Sequence, residues 1–185
     1  MTDEELVALA RTGDADAFDQ LVARHQAGAY RAALAALRNP HDAEEAAQDG
    51  LVRAWSNLGR VRGDSSFRTW LLTIVWNTAL SRRRGVVQWM RRKAPLAEAV
   101  TLPEAAASPY REARDRELRV HIASAIETLT PKLRDALLLA HSGDYDYGEI
   151  ALMLKIPVGT LKWRVAEARK QVKSRLQGMG YVHGS

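Results

Sequence analysis

The densest run of chemistry-bearing side chains lies between Asp146 and Lys173. Asp146 and Glu149 stand three apart, the spacing of a helix-capping box, and Ile150, Ala151 and Leu154 follow on one helical face. Lys155-Ile156-Pro157-Val158-Gly159 cannot comfortably continue that helix, because proline lacks an N–H and disfavours helical geometry at the residue before it. Thr160 is predicted to open a second helix, with Leu161, Val165 and Ala168 inward. Its outer face would carry Lys162, Arg164, Arg169, Lys170 and Lys173. A short helix, a tight turn and a basic second helix make a helix-turn-helix, whose second helix normally enters the major groove of duplex DNA. The chemistry is that of binding.

Arg82-Arg83-Arg84 is a compact cationic group suited to phosphates, although such runs are commonly plain basic surface. His41 stands near Glu44 and Glu45, but the spacing lacks the Glu-x-x-His pairs of a di-iron site, so a solvated helix start is the reading there. There is no cysteine, which excludes disulfides, Cys-ligated zinc or iron–sulfur centres, and thiol chemistry. Only scattered Glu and His residues remain to offer a catalytic site, so no enzyme activity and no cofactor is predicted.

The elements that must position these groups are helical. The 185 residues are 46% hydrophobic and 26% charged, a globular composition, with about 30 alanines favouring helix. No segment alternates with period two, so the prediction is an all-α protein without a sheet. Apolar residues recur at helical spacing from Asp3 to Leu37, with Thr12-Gly13-Asp14 as a stop and a fresh cap. After the break at Asn39-Pro40, Asp42 is predicted to cap a helix running to about Leu58, with Glu45 as capping-box partner. Gly59 to Ser66 reads as a loop, and a long helix is predicted from Phe67 through the arginine cluster. Residues 94–114, holding Ala94-Pro95, Leu102-Pro103 and Ser108-Pro109 among small residues, read as a flexible linker. Beyond it, a stripe of Leu118, Ile122, Ala125 and Ile126 leads to Thr130-Pro131, an N-cap followed by a first-turn proline. Two small helical domains result, 1–93 and 115–185. No uncharged stretch reaches the roughly 20 residues of a membrane span, and the acidic start is unlike a signal peptide. The default expectation is a cytoplasmic protein.

Charge is distributed unevenly: −6 over residues 1–50, +7 over 51–118 and +4 over 119–185, for a net +5. An acidic head on a basic remainder suggests two kinds of partner, a basic protein surface and a polyanion.

Two motif sets then resemble one family. Glu149-Ile150-Ala151 followed by Gly159-Thr160-Leu161-Lys162-Trp163-Arg164 is similar to the fourth region of bacterial sigma factors. In the first half, Asp42-Ala43-Glu44-Glu45 with Gln48-Asp49 and Arg53-Ala54-Trp55 resembles the segment of sigma factors that binds polymerase. Arg62-Gly63-Asp64-Ser65-Ser66-Phe67-Arg68-Thr69-Trp70-Leu71 with Ile74 and Asn77 resembles their promoter-melting segment. Both sets occur in the family's order with only a linker between them, so the chain resembles the extracytoplasmic-function (ECF) group of the sigma-70 family.

The resemblance implies roles for these positions. Asp42, Glu45, Gln48, Asp49 and Arg53 would bind the coiled-coil clamp helices of the largest subunit of core RNA polymerase, and the second-largest subunit's flap would be a further contact. Arg62, Gly63, Asp64, Ser65 and Ser66, with Asn77, would form a pocket for a base flipped from the −10 element, beside phosphates neutralised by Arg82, Arg83 and Arg84. Flipping a base costs a few kcal/mol, and short polar side chains can bond its edge without filling the pocket. Thr160, Lys162, Trp163, Arg164, Glu167, Arg169 and Lys170 would read the −35 element as duplex DNA. Val61, Trp163 and Glu167 depart from what many relatives carry, which bears on the preferred promoter sequence. An anti-sigma factor is an implied partner, and any attachment to the inner membrane would pass through it.

The competing reading is a stand-alone helix-turn-helix regulator, which leaves the Arg62–Asn77 motif unused. For the free chain, the acidic head is predicted to fold back on the basic C-terminal domain and mask it. Trp70 is read as core packing, while Trp76 and Trp89 could serve either the core or DNA stacking.

Overall fold

The computed structural model describes residues 1–61, 65–93, 109–142 and 145–181, of which 86–93 and 109–115 by backbone alone. Arg62, Gly63, Asp64, the Trp89 side chain and the 94–108 part of the linker lie outside the described residues. Every regular element among the described residues is helical. The order is α1 (Asp3–Arg11), α2 (Ala15–Leu37), α3 (Pro40–Ser56), a 3-10 turn (Leu58–Arg60) and α4 (Phe67–Lys93). It continues with α5 (Pro109–Glu127), α6 (Pro131–His141), α7 (Tyr147–Leu154) and α8 (Val158–Gly178).

Local chemistry accounts for most boundaries. Thr2 and Glu5 close a capping box on α1, and the Asp14 side chain accepts from the Ala17 N–H to start α2. The cap of α3 is Asn39 rather than Asp42: its side chain accepts from the Asp42 N–H, 3.1 Å away, and Pro40 takes the first helical position. Asp42 is thereby an interior first-turn residue and Glu45 has no capping role. Pro109 likewise occupies a helix start, so the last six residues read as linker, 109–114, belong to α5. The second helix of the C-terminal motif begins at Val158, two residues before Thr160, with extended Pro157 ahead of it. Lys155 ends α7 in the left-handed region at φ 54°.

Alanine lets the first body pack closely. Ala29, Ala32, Ala33 and Ala36 of α2, with Ala43, Ala46, Ala47 and Ala54 of α3, are all buried. At the crossing of α3 on α4, a Cβ built on Gly50 would stand 2.6 Å from Val75 Cγ2 and 3.0 Å from Val75 Cα. Only glycine permits that approach. Leu6, Leu21, Leu71, Leu72, Val75 and Trp76 fill the space between these helices. Trp76 is 1% exposed and belongs to the core, so it does not stack on DNA; Trp70 is half-buried beside Phe67, as read.

The second body packs α6 and α5 against α8, with Leu129, Leu133, Leu137 and Ala168 as a small core of its own. It rests on the first body. Residues of α6 to α8, including Ala136, Leu139, Tyr145, Ile150 and Met153, join the larger core cluster, and the Tyr145 hydroxyl donates to the Gly28 carbonyl at 2.8 Å.

Candidate nucleic-acid interface

On α3, the exposed residues His41, Glu44, Glu45, Gln48, Asp49, Val52, Arg53 and Trp55 recur at three- and four-residue spacing and share one broad face, opposite Ala43, Ala46, Ala47, Gly50 and Ala54. Asp42 borders it, half-buried. The five positions predicted for polymerase contact are therefore brought together. The sequence reading missed Val52, which is 66% exposed in the middle of that face, and gave Trp55 no surface role although it is 40% exposed while packing at a tilt against Phe18. The signal was present, since Val52 stands four residues after Gln48 and one turn beyond the acidic pair.

Along α4, Ser66, Trp70, Thr73, Asn77, Ser81 and Arg84 fall on one side at helical spacing. Asn77 is exposed and donates its Nδ2–H to the Thr73 carbonyl at 2.8 Å, which aims the amide along the helix surface. Ser66 serves the helix itself: its hydroxyl accepts from the Thr69 N–H at 3.2 Å and pairs with the Thr69 hydroxyl at 3.0 Å. Ser65 is half-buried in the loop before it.

The three arginines diverge, because successive helical residues are turned by about 100°. Arg84 shares the Asn77 side. Arg82 reaches across to α3 and donates to both Glu45 and Asp49, each at 2.6 Å. This pairing holds the Glu45 carboxyl below its ordinary range, the hydrogen bond from Arg82 being the main cause, and pushes the Arg82 guanidinium further up. Arg83 points to the second body and donates to Asp135 at 2.8 Å. Arg68 pairs with Glu149 and lies over the Tyr145 ring, 5.5 Å from its centroid.

On α8, Leu161, Val165 and Ala168 are buried as read, and Lys162, Trp163, Arg169, Lys170 and Lys173 share the exposed face, Trp163 being 62% exposed. Thr160, Arg164 and Glu167 are half-buried on the flank, and the Glu167 carboxylate accepts from Gln171 at 2.8 Å. Arg164 is therefore not part of the outer face to which its charge assigned it.

This corrects the expected masking. The face of α8 stands open, and the bodies meet through the end of α5, α6 and α7 with the charges reversed from expectation: Arg38, Arg68 and Arg83 come from the first body, Glu127, Glu149 and Asp135 from the second.

Two family models match the chain, Sigma-70 region 2 over residues 21–89 and Sigma-70, region 4 over residues 119–172. The RNA polymerase sigma-H factor of Pseudomonas aeruginosa is 34% identical over 189 residues, covering 95% of this chain and 94% of its own length. The chain belongs to the sigma-70 family. Its ECF character follows from the ECF RNA polymerase sigma-E factor of Escherichia coli K12, 31% identical over 186 residues with 96% and 95% of the two chains covered. CnrH, solved in complex with the cytosolic domain of CnrY, aligns with a TM-score of 0.65 at 27% identity over 95% of this chain and 97% of that one. The sigma factor RpoE of Bartonella quintana, solved with the anti-sigma factor NepR, shares the fold at a TM-score of 0.65 and 22% identity, covering 86% and 96%. The region 2 match takes in most of α2, all of α3 and most of α4, and the region 4 match takes in α6, α7 and most of α8. Among the described residues of this sigma factor, no helix is long and apolar enough to cross a membrane.

Proposed function

We propose that this ECF sigma factor works as the promoter-specificity subunit of RNA polymerase through three separate faces. The face of α3 centred on Glu45, Gln48, Asp49 and Val52 docks on the clamp helices of the largest subunit, while residues 115–185 also meet the flap of the second-largest. The Asn77 side of α4, with Arg84 and the loop carrying Arg62 to Ser66, takes a base extruded from the −10 element. The exposed face of α8 reads the −35 duplex, with Lys162, Trp163, Arg169 and Lys170 foremost. One observation supports this reading: an acidic and apolar face on α3, an amide-bearing polar face on α4 and a basic exposed face on α8 follow one another on a chain that matches sigma-70 regions 2 and 4 in that order. Strand opening then draws on binding free energy, each stacked base contributing about 1–3 kcal/mol, and needs no catalytic group. The protein works in the cytoplasm, where the polymerase is, and is restrained by an anti-sigma factor.

Size-exclusion chromatography with core polymerase tests the first face. The wild-type chain is expected to co-elute with it. Reversing charge at Asp42, Glu45 and Asp49, or the single change Val52→Asp, is expected to weaken co-elution while circular dichroism stays native. Normal co-elution of both variants would remove α3 as the docking face. Tight duplex binding by the free chain without any co-elution would instead favour the stand-alone regulator.

A further inference from the structure

Arg82 joins two faces to which separate partners have been assigned. Its guanidinium is planar and forked, and it places one nitrogen on Glu45 and the other on Asp49, both at 2.6 Å. Neither acid is needed there by the fold: their side chains are 50% and 49% exposed, and the α3–α4 crossing is secured by Gly50 and Val75 beneath them. Arg82 itself is 33% exposed at the rim of α4, one helical turn past Thr78. No other acidic side chain among the described residues bonds to it.

We infer that Arg82 is a competitive clasp that couples polymerase docking to DNA binding. In the free chain it neutralises the two acids that the clamp must engage, and those acids withhold it from phosphates. When cationic groups of the clamp take Glu45 and Asp49, Arg82 is released toward the DNA strand running along α4. By linkage, a phosphate that captures Arg82 exposes the acids and strengthens docking by the same factor. The clasp rests on the proposed docking role of α3, and goes beyond it by making the two binding events cooperative. Because the pairs are surface pairs, the coupling is modest, a matter of several-fold. The hydrogen bond from Arg82 that keeps Glu45 below its ordinary carboxyl range accords with the geometry.

The test is a double-mutant cycle on the full chain, read by fluorescence anisotropy with a fluorescein-labelled oligo(dT) strand, since a phosphate contact is independent of base sequence. Arg82→Gln alone is expected to change free-chain affinity less than twofold, because Arg82 is already occupied. Glu45→Gln with Asp49→Asn is expected to tighten binding about 3–10-fold and steepen the salt slope by about 0.7. Adding Arg82→Gln to that pair should abolish the gain. Additive effects around the cycle would overturn the clasp, since loss of two negative charges alone strengthens binding whatever stands at position 82. The second arm measures core polymerase affinity, where Arg82→Gln is expected to bind about 2–5-fold tighter than wild type. Unchanged or weaker binding would sink the proposal. Should Arg82→Gln lose helicity, Arg82→Lys keeps the charge but not the fork, and is expected to give about half of each effect. Failure of wild type to bind polymerase at all would refute the docking role of α3 and the coupling with it, whereas normal docking with an additive cycle would refute the clasp alone.

Discussion

The two helices proposed to face DNA present their cations in opposite states. On α8, Lys162, Arg169 and Lys170 stand exposed, and no ion pair among the described residues engages them. On α4, Arg68, Arg82 and Arg83 are each bonded to a carboxylate. On the helix proposed for intact duplex the cations are ready, while on the helix proposed for an opened strand three of the arginines are guarded and Arg84, bonded among the described residues only to the Ser81 hydroxyl, stands clear. That asymmetry matches the order of events at a promoter, where duplex must be found before a base can leave the stack. It also assigns the guards: α3 holds Arg82, and the second body holds Arg68 and Arg83. Separating −10 and −35 elements by two helical turns, roughly 70 Å of duplex, requires the bodies to part, which would release the latter two.

The largest effect is expected from breaking that second guard. Asp135→Lys removes the partner of Arg83, and Glu149→Gln removes the charge facing Arg68 while keeping a side chain able to close the α7 capping box. Side-chain exposures of 22% and 13% for one pair and 35% and 17% for the other reduce the several kcal/mol of a fully buried pair to about 1 kcal/mol each. Together they should shift the closed-to-open ratio of the free chain about 30-fold. Small-angle scattering should show a larger radius of gyration, and affinity for single-stranded DNA should rise while duplex affinity through α8 stays nearly constant. An equal rise in both affinities would show that α8 was guarded too, and the contrast between the helices would fall.

A middle-sized effect sharpens the contrast within α8. Lys162→Ala and Arg169→Ala, on the exposed face, should each lower the salt slope of −35 duplex binding by about 0.9 if the residue meets phosphate, or cost about 1–3 kcal/mol at one base pair if it reads a base. Arg164→Ala, on the half-buried flank, should do markedly less. Equal losses at Arg164 and Lys162, measured by anisotropy over a salt series, would return Arg164 to the reading face.

The same contrast marks how far the sequence could be read. Leu161, Val165 and Ala168 as the inward set of α8, and Asp146 with Glu149 as a capping box, follow from spacing inside one element, and the structure agrees. The cap of α3 was misplaced because Asn39 and Asp42 are both good caps three residues apart, and only the proline at the first helical position decides between them. The α5 start was hidden for a related reason, since Pro109 among small residues reads equally as linker. The fates of the arginines were not legible. Arg82 finds acids 37 and 33 residues away, Arg83 one 52 away and Arg68 one 81 away. A run of three arginines states its charge, but helical rotation sends each to a different neighbour, and only the packed fold says which. Val52 was overlooked because an apolar residue on a polar face reads as core until the buried side of α3 is known.

The smallest expected effect concerns the first guard and acid. Glu45 has its carboxyl lowered from the ordinary value of 4.5, chiefly by the hydrogen bond from Arg82. A depressed carboxyl contributes its stabilisation fully above the unfolded value and loses it as pH falls through the folded one. The clasp should therefore be complete at neutral pH and weaken only in acid below the ordinary carboxylate value, not through the histidine range. Melting temperatures of wild type and Arg82→Gln, compared from pH 7 to pH 3, should differ by a small constant amount at the upper end and converge at the lower. Convergence near pH 6 instead would show that the linked proton does not sit on the Glu45 carboxylate. A gap that persists to pH 3 would mean Arg82 holds α3 to α4 by packing rather than by charge, and the guard on α4 would then be the second body alone.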